Sequence, residues 1–267
     1  MSYIFLDTET TGLNSKKDRI IQLSYIITDD SYSIIDIKNF YLNTDEEIPM
    51  EAIMIHNIDN KKLLELSGGK QFKDYAKEIL WDFQSAKVVC HNARFDVGFL
   101  KAEFLRINKV LTLDKTYCTM ENYTPICKLN YNDYYGSYKW PKLEVVVKYL
   151  KIDMEDLKAE AKSVFKEVEG LHDARLDVYI TYIIYKKIRQ VVTEETEETI
   201  KRRLDELKDS ERTLAATSGM MDKLRTLNYV ISDIKEFEGR SEEMKKFWKD
   251  NLDPRGFETI EEDDIPF

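Results

Sequence analysis

Residues 3–13 read YIFLDTETTGL: four apolar or aromatic residues, then Asp7 and Glu9 separated by one threonine, then a run into Gly12. Side chains two apart on a strand share a face, so the two carboxylates leave the strand end side by side, where they can share a cation. Working outward, residues 20–28 and 33–42 are further apolar stretches, the second partly alternating. Three consecutive strands with connections this short favour antiparallel pairing. Phe72, Tyr75, Ala76, Ile79, Leu80 and Phe83 fall on one helical stripe. A short buried strand follows at 88–90, then a helix marked by Phe95, Phe99, Leu100, Phe104 and Ile107. The apolar run 111–113 reads as another strand, and 143–150 and 176–188 read as helices. Strands first, then alternating helices and strands, predict an α/β domain: a sheet with helices packed on it.

The pattern changes at residue 193. Thr193 precedes Glu194, Glu195, Glu197 and Glu198, acids that favour a helix's first turn, and places a helix start there. Apolar spacings of three, four and seven, interrupted at 217–219, predict a C-terminal helical hairpin, and the polar stretch from Asn251 a flexible acidic tail. The expected organisation is a catalytic domain over 1–192, a helical appendage over 193–250 and a tail over 251–267.

Composition narrows the function classes. The chain has 267 residues, 43% hydrophobic, with only 9 Gly and 5 Pro, which excludes wholesale disorder and low-complexity repeats. No apolar run approaches the roughly 20 residues needed to span a bilayer. The first residues lack the basic and apolar regions of a secretory signal, and 3 Cys without C-x-x-C spacing argue against a disulfide framework or a zinc site. A reducing cytoplasm is the expected location, with no membrane partner. Most of the net charge of −10 belongs to residues 191–267, so overall acidity does not oppose nucleic-acid binding by the larger part.

Two further acidic motifs accompany the first. His91-Asn92-Ala93-Arg94-Phe95-Asp96 brings a carboxylate into the first turn of a helix after the strand at 88–90, and His172-Asp173-Ala174-Arg175-Leu176-Asp177 does the same near the end of the domain. Taken singly, each residue has an ordinary role, as a strand-end turn, a helix-start acid or a cap neighbour. Taken together, the three motifs resemble those of the DEDDh, or DnaQ-like, 3′-to-5′ exonucleases, in order and in spacing, over about residues 1–190.

The resemblance implies an RNase H-like fold with a five-stranded mixed sheet and a metal-dependent exonuclease. It implies Asp7, Glu9, Asp96 and Asp177 as ligands of two Mg²⁺ ions, with Mn²⁺ able to substitute. Asp7 would bridge the ions, Glu9 and Asp177 would complete one, and Asp96 the other. Four carboxylates in one cavity would repel strongly without such cations, and a hard metal pair suits an in-line phosphoryl displacement. His172 would be the general base. The product would be a nucleoside 5′-monophosphate from the 3′ end, with DNA favoured over RNA and any polymerase acting in trans. By the same resemblance Thr10, Thr11, Gly12 and Leu13 line the terminal nucleotide. His56 lies in a loop similar to the family's H-G-I, although Asn57 stands where Gly is usual. His91 is expected to orient its loop. The alternatives are an RNA-trimming relative with the same site, and a non-catalytic nucleic-acid adaptor.

Four further features bear on the reading. Arg94 and Arg175 would touch phosphate or pair with carboxylates. Residues 127–142 interleave Tyr131, Tyr134, Tyr135, Tyr138 and Trp140 with Lys128, Lys139 and Lys142, which reads either as a single-strand stacking surface or as a loop pinned by its own rings. Residues 151–169 form an acidic insertion. The chain finishes Asp263-Asp264-Ile265-Pro266-Phe267, similar to the acidic tip of bacterial single-stranded-DNA-binding proteins. That resemblance predicts docking to proteins that read such tips, an aromatic end filling an apolar pocket while acids steer the encounter.

Overall fold

A computed structural model describes residues 2–84, 86–113, 116–132, 136–166, 168 and 172–194. The expected appendage beyond Glu194, and the tail with its Asp263–Phe267 docking segment, lie outside the described residues.

The three N-terminal runs form β1 (Ser2–Thr10), β2 (Ile20–Thr28) and β3 (Ile34–Tyr41), paired antiparallel as expected. β4 (Ala86–Cys90) lies parallel to β1 on its other side, and the two-residue β5 (Tyr117–Cys118) lies parallel to β4. The sheet order is therefore β3-β2-β1-β4-β5, a mixed five-stranded sheet with β1 at its centre.

Alternation along β1 divides the interior. Tyr3 and Phe5 pack on one face against Leu176, Ile180, Ile184 and Tyr185 of α8 (Ala174–Glu194) and the neighbouring α6 (Leu143–Tyr149) and α7 (Met154–Phe165). Ile4 and Leu6 pack on the other face against Ile79 and Phe83 of α3 (Phe72–Phe83) and Phe99, Leu100 and Phe104 of α4 (Ala93–Arg106). Both faces of β1 are covered, which explains why YIFL is continuously apolar rather than alternating.

A smaller cluster of Ile21, Ile48, Ala52, Ile58 and Leu63 seats α1 (Met50–His56) and α2 (Asn60–Ser67) beside the sheet. α5 (Thr119–Cys127) follows β5, and a small antiparallel hairpin, β6 (Leu129–Asn132) with β7 (Ser137–Lys139), lies between α5 and α6. No helix among the described residues is long and apolar enough to cross a membrane.

Two expectations are corrected. Residues 111–113 are not a strand: Leu111 is buried without strand pairing, and pairing with β4 begins only at Tyr117 and Cys118. An apolar triplet carries too little periodicity to separate the two cases. Thr193 does not start a helix, because α8 continues unbroken through it to Glu194, no Gly or Pro interrupting the chain there. The acidic insertion is mainly α7, whose Leu157 and Ala161 are buried against α8 and whose Glu160 accepts a hydrogen bond from the Tyr179 hydroxyl at 2.9 Å. Its role is to cover that face of the sheet.

One buried ion cluster ties the loop after β1 to α4. Glu103 is 1% exposed and accepts from Arg19 Nε and Nη2, both at 2.9 Å, from Arg106 Nη1 at 3.0 Å and from the Ile20 amide at 3.2 Å. Arg106 Nη2 in turn donates to the Ser15 and Asp18 carbonyls at 2.7 and 2.9 Å. Glu103→Ala is expected to destabilise the protein by about 2 kcal/mol, the scale of lost hydrogen bonds to charged groups, with protease cleavage appearing first in residues 11–19. Limited proteolysis alongside denaturant unfolding measures both effects.

Candidate active site

The alternation that builds the core also builds the site. Asp7 and Glu9 continue the Tyr3–Phe5 face, towards α8, and Asp177 stands in the first turn of α8. Carboxylate oxygens of Asp7, Glu9 and Asp177 lie within 4.8 Å of one another. Thr8 continues the opposite face, towards α4, and its hydroxyl donates to Asp96 Oδ1 at 2.8 Å. Asp96, 2% exposed in the first turn of α4, is the carboxylate that acts most strongly on Asp7. The four acids of the three motifs thus meet around the end of β1, with Asp7 between the Glu9–Asp177 pair and Asp96.

Burial and mutual repulsion govern their ionisation. Asp7 is held well above the usual carboxylate range, first by desolvation and then by Asp96, Asp177 and Glu9. Burial, followed by Asp177 and Asp173, pushes Glu9 up to about 9. Asp96 rises to about 7 through burial, opposed by the Thr8 hydrogen bond, and Asp177 to about 7 through burial and then Glu144 and Asp173. Buried acids forced this close retain protons unless positive charge arrives, which is the behaviour of a cation site.

His172 occupies a left-handed backbone position (φ 61) two residues before α8, exposed to solvent and near enough for its charge to act on His56. The neighbouring Asp173 is fixed by a buried ion pair with Arg175 at 2.7 Å and accepts from Gln22 Nε2 at 3.0 Å. Gln22 also donates to Asn39, so a polar chain from β3 through β2 sets the approach to α8. Arg175 is therefore a carboxylate partner, whereas Arg94 is 80% exposed and meets Glu121 at 3.4 Å.

The loop after β1 is shaped internally. Thr10 Oγ1 donates to the Gly12 carbonyl at 2.7 Å, and Thr11 gives its amide to the Arg19 carbonyl and accepts the Arg19 amide on its hydroxyl, each at 2.9 Å. A Cβ on Gly12 would meet Asp18 Oδ2 at 2.4 Å, and that carboxylate is already held by the Asn14 amide. Gly12 is thus required by close approach rather than by turn conformation. Leu13 is 87% exposed beside the site.

His56 is buried at the end of α1. Its Nδ1 accepts from the Ile58 amide at 3.1 Å, which leaves the proton on Nε2, a buried atom within reach of the Thr10 carbonyl but at no hydrogen-bond distance from any described partner. Burial pulls its pKa down to about 4, so the ring is neutral at pH 7. Asn57 caps α1 in the left-handed region (φ 56), a conformation for which Asn is the best substitute for Gly. Its replacement of Gly leaves the loop geometry available.

His91 orients its loop as expected, with Nδ1 2.9 Å from Thr119 Oγ1 and Nε2 3.1 Å from the Pro141 carbonyl. Thr8, Gln22, Asp173 and Glu144 were not singled out from sequence. Thr8 and Asp173 lie inside the motifs and follow from strand alternation and helix capping; Gln22, with Ser24, is a polar residue in a largely apolar strand, a signal of buried hydrogen bonding. Glu144 carries no local signal.

Comparison with known proteins agrees with this geometry. The sequence model of the RNase T exonuclease family matches residues 4–185. The DNA polymerase III epsilon subunit of Buchnera aphidicola from Acyrthosiphon pisum is 34% identical over 122 residues, covering 44% of this chain and 50% of that protein. The Escherichia coli epsilon subunit is 29% identical over 126 residues, covering 43% and 48% respectively. The chain thus matches only about half the length of these relatives. Among solved structures, E. coli exonuclease I bound to a dT13 oligonucleotide superposes with a TM-score of 0.56 at 22% identity, over 72% of this chain and 42% of that one, a likeness of fold. With its family match over the whole sheet and its four acids at the end of β1, the chain belongs to the RNase T exonuclease family, as a DnaQ-like member of the RNase H-like superfamily.

Proposed function

We propose that the chain is a metal-dependent 3′-to-5′ exonuclease acting on DNA, on single strands or primer 3′ ends. The observation that carries this reading is the convergence of Asp7, Glu9 and Asp177 within 4.8 Å, with Asp96 against Asp7. An all-carboxylate donor set fits hard divalent ions, Mg²⁺ or Mn²⁺, better than softer metals. Asp7, Glu9 and Asp177 would hold one ion and Asp7 and Asp96 a second, and such ions supply Lewis-acid stabilisation of charge on attacking and leaving oxygens. Similarity to polymerase III epsilon subunits and to a DNA-bound exonuclease I favours DNA over RNA.

The chain's own residues divide the remaining work. His172, solvent-exposed at the mouth of the site, takes the proton of the attacking water. Water oxygen joins phosphorus as the bond to the 3′-oxygen breaks, leaving a 3′-hydroxyl on the shortened strand and a nucleoside 5′-monophosphate. The Thr10–Leu13 loop, rigid through its Arg19 and Asp18 contacts, presents exposed Leu13 to the terminal base, and His56 Nε2–H faces the same pocket as a neutral donor.

Two outcomes test the reading. Incubated with Mg²⁺, the protein is expected to shorten 5′-labelled single-stranded DNA or a primer–template from the 3′ end faster than matched RNA, and not at all in EDTA. Asp7→Ala lowers the rate by about 10³-fold or more and His172→Ala by about 10²- to 10⁴-fold. Full activity in Asp7→Ala would sink the assignment and favour an adaptor.

The ionisation states give the second. Because Glu9, Asp96 and Asp177 hold protons in the folded protein that an unfolded chain releases near pH 4, raising the pH costs metal-free stability. The metal-free melting temperature should fall from pH 5 to pH 9, and Mg²⁺ or Mn²⁺ should raise it more at pH 8.5 than at pH 6. A metal response independent of pH, by calorimetry or fluorescence melting, would contradict the cluster.

A further inference from the structure

The β6–β7 hairpin stands apart from the core yet is wired to the site. Tyr131 pairs with Tyr138 across the strands, their rings 5.1 Å apart and near perpendicular, so these two aromatics do pin the hairpin to itself. Trp140, immediately after β7, does not join them: it is 54% exposed and makes no ring pair among the described residues. A lone exposed indole is ordinary on a protein surface, but this one has basic flanks: Lys139 and Lys142 are both exposed.

The position of this indole is set by buried contacts. His91, in the second catalytic motif, lies 3.1 Å through Nε2 from the carbonyl of Pro141, the residue after Trp140, and burial holds the ring neutral with a pKa near 4. The chain then passes into α6, where Glu144 is close enough to act on Asp177. Glu144 is four positions on from Trp140, a backbone reach of at most about 14 Å. The exposed ring and two lysines therefore lie on a strap anchored by His91, from the motif that supplies Asp96, and running into the helix whose Glu144 acts on Asp177.

We infer that Trp140, with Lys139 and Lys142, forms a stacking platform for the body of a single-stranded nucleic acid whose 3′ end occupies the carboxylate site. The chemistry fits one class of partner. Indole faces stack on any base, while lysines follow the phosphates without reading sequence. A folded protein partner would need a larger apolar surface than one indole bounded by charges. The inference rests on the exonuclease reading for the placement of the 3′ end.

Two substrates separate the two ideas: an oligothymidylate long enough to reach the hairpin, and the p-nitrophenyl ester of thymidine 5′-monophosphate, which occupies only the carboxylate site. Binding of fluorescein-labelled oligothymidylate is measured in Ca²⁺, and ester hydrolysis in Mn²⁺. Trp140→Ala is expected to weaken oligonucleotide binding about tenfold, the scale of one lost stack, with ester hydrolysis unchanged and Trp140→Phe restoring most of the affinity. Lys139→Gln with Lys142→Gln should flatten the salt dependence of binding. Unaltered binding in Trp140→Ala, or equal losses on both substrates, would overturn the platform. A wild-type protein that binds the strand through Trp140 yet leaves the ester intact would support the platform and sink the exonuclease assignment.

Discussion

The repulsion among buried carboxylates at the end of β1 is the constraint on which the rest of the structure depends. Asp7 feels Asp96, Asp177, Glu9 and Asp173 at once, in a place where burial already disfavours charge. Such an arrangement lowers metal-free stability at neutral pH, and proteins keep unfavourable clusters of this kind where function uses them. The fold must therefore hold the acids in place rigidly, and the surrounding structure is organised to do so.

That rigidity comes from the two covered faces of a single strand. Odd positions of β1 serve the α8 side and even positions the α4 side, so one strand presents Asp7 and Glu9 to Asp177 while Thr8 grips Asp96 from behind. Polar ties then lock the helices to the sheet. Gln22 links β2 to Asp173 at the start of α8, and Glu103 with Arg19 and Arg106 clamps the loop after β1 onto α4. The first tie adjoins His172, and the second reaches the Thr10–Leu13 loop through the Arg19 amide on Thr11.

Much of this is legible in the sequence because it is local. The apolar run before Asp7, the stripe from Phe72 to Phe83 and the motifs around Asp96 and Asp177 each carry their own periodicity or spacing, and the helix α3 spans those residues as read. What is not legible depends on distant partners. β5 is two residues long and exists only because β4 lies alongside it, so the triplet at 111–113 draws attention to the wrong place. α5 contains Pro125, which argues against a helix by propensity, and the acids after Thr193 suggest a helix start where α8 simply continues. Glu144 and the hairpin before it gain meaning only from contacts with Asp177 and His91, across tens of residues.

The central claim is that Asp7, Glu9, Asp96 and Asp177 form a protonated cluster that exchanges protons for divalent metal. Titrating Mn²⁺ into the protein at pH 7 by calorimetry, in two buffers of different ionisation enthalpy, counts the protons released on binding. The account predicts saturable binding with release of about two to three protons, with binding and release both lost in Asp7→Asn. Saturable binding without proton release, or binding that survives Asp7→Asn unchanged, would contradict it.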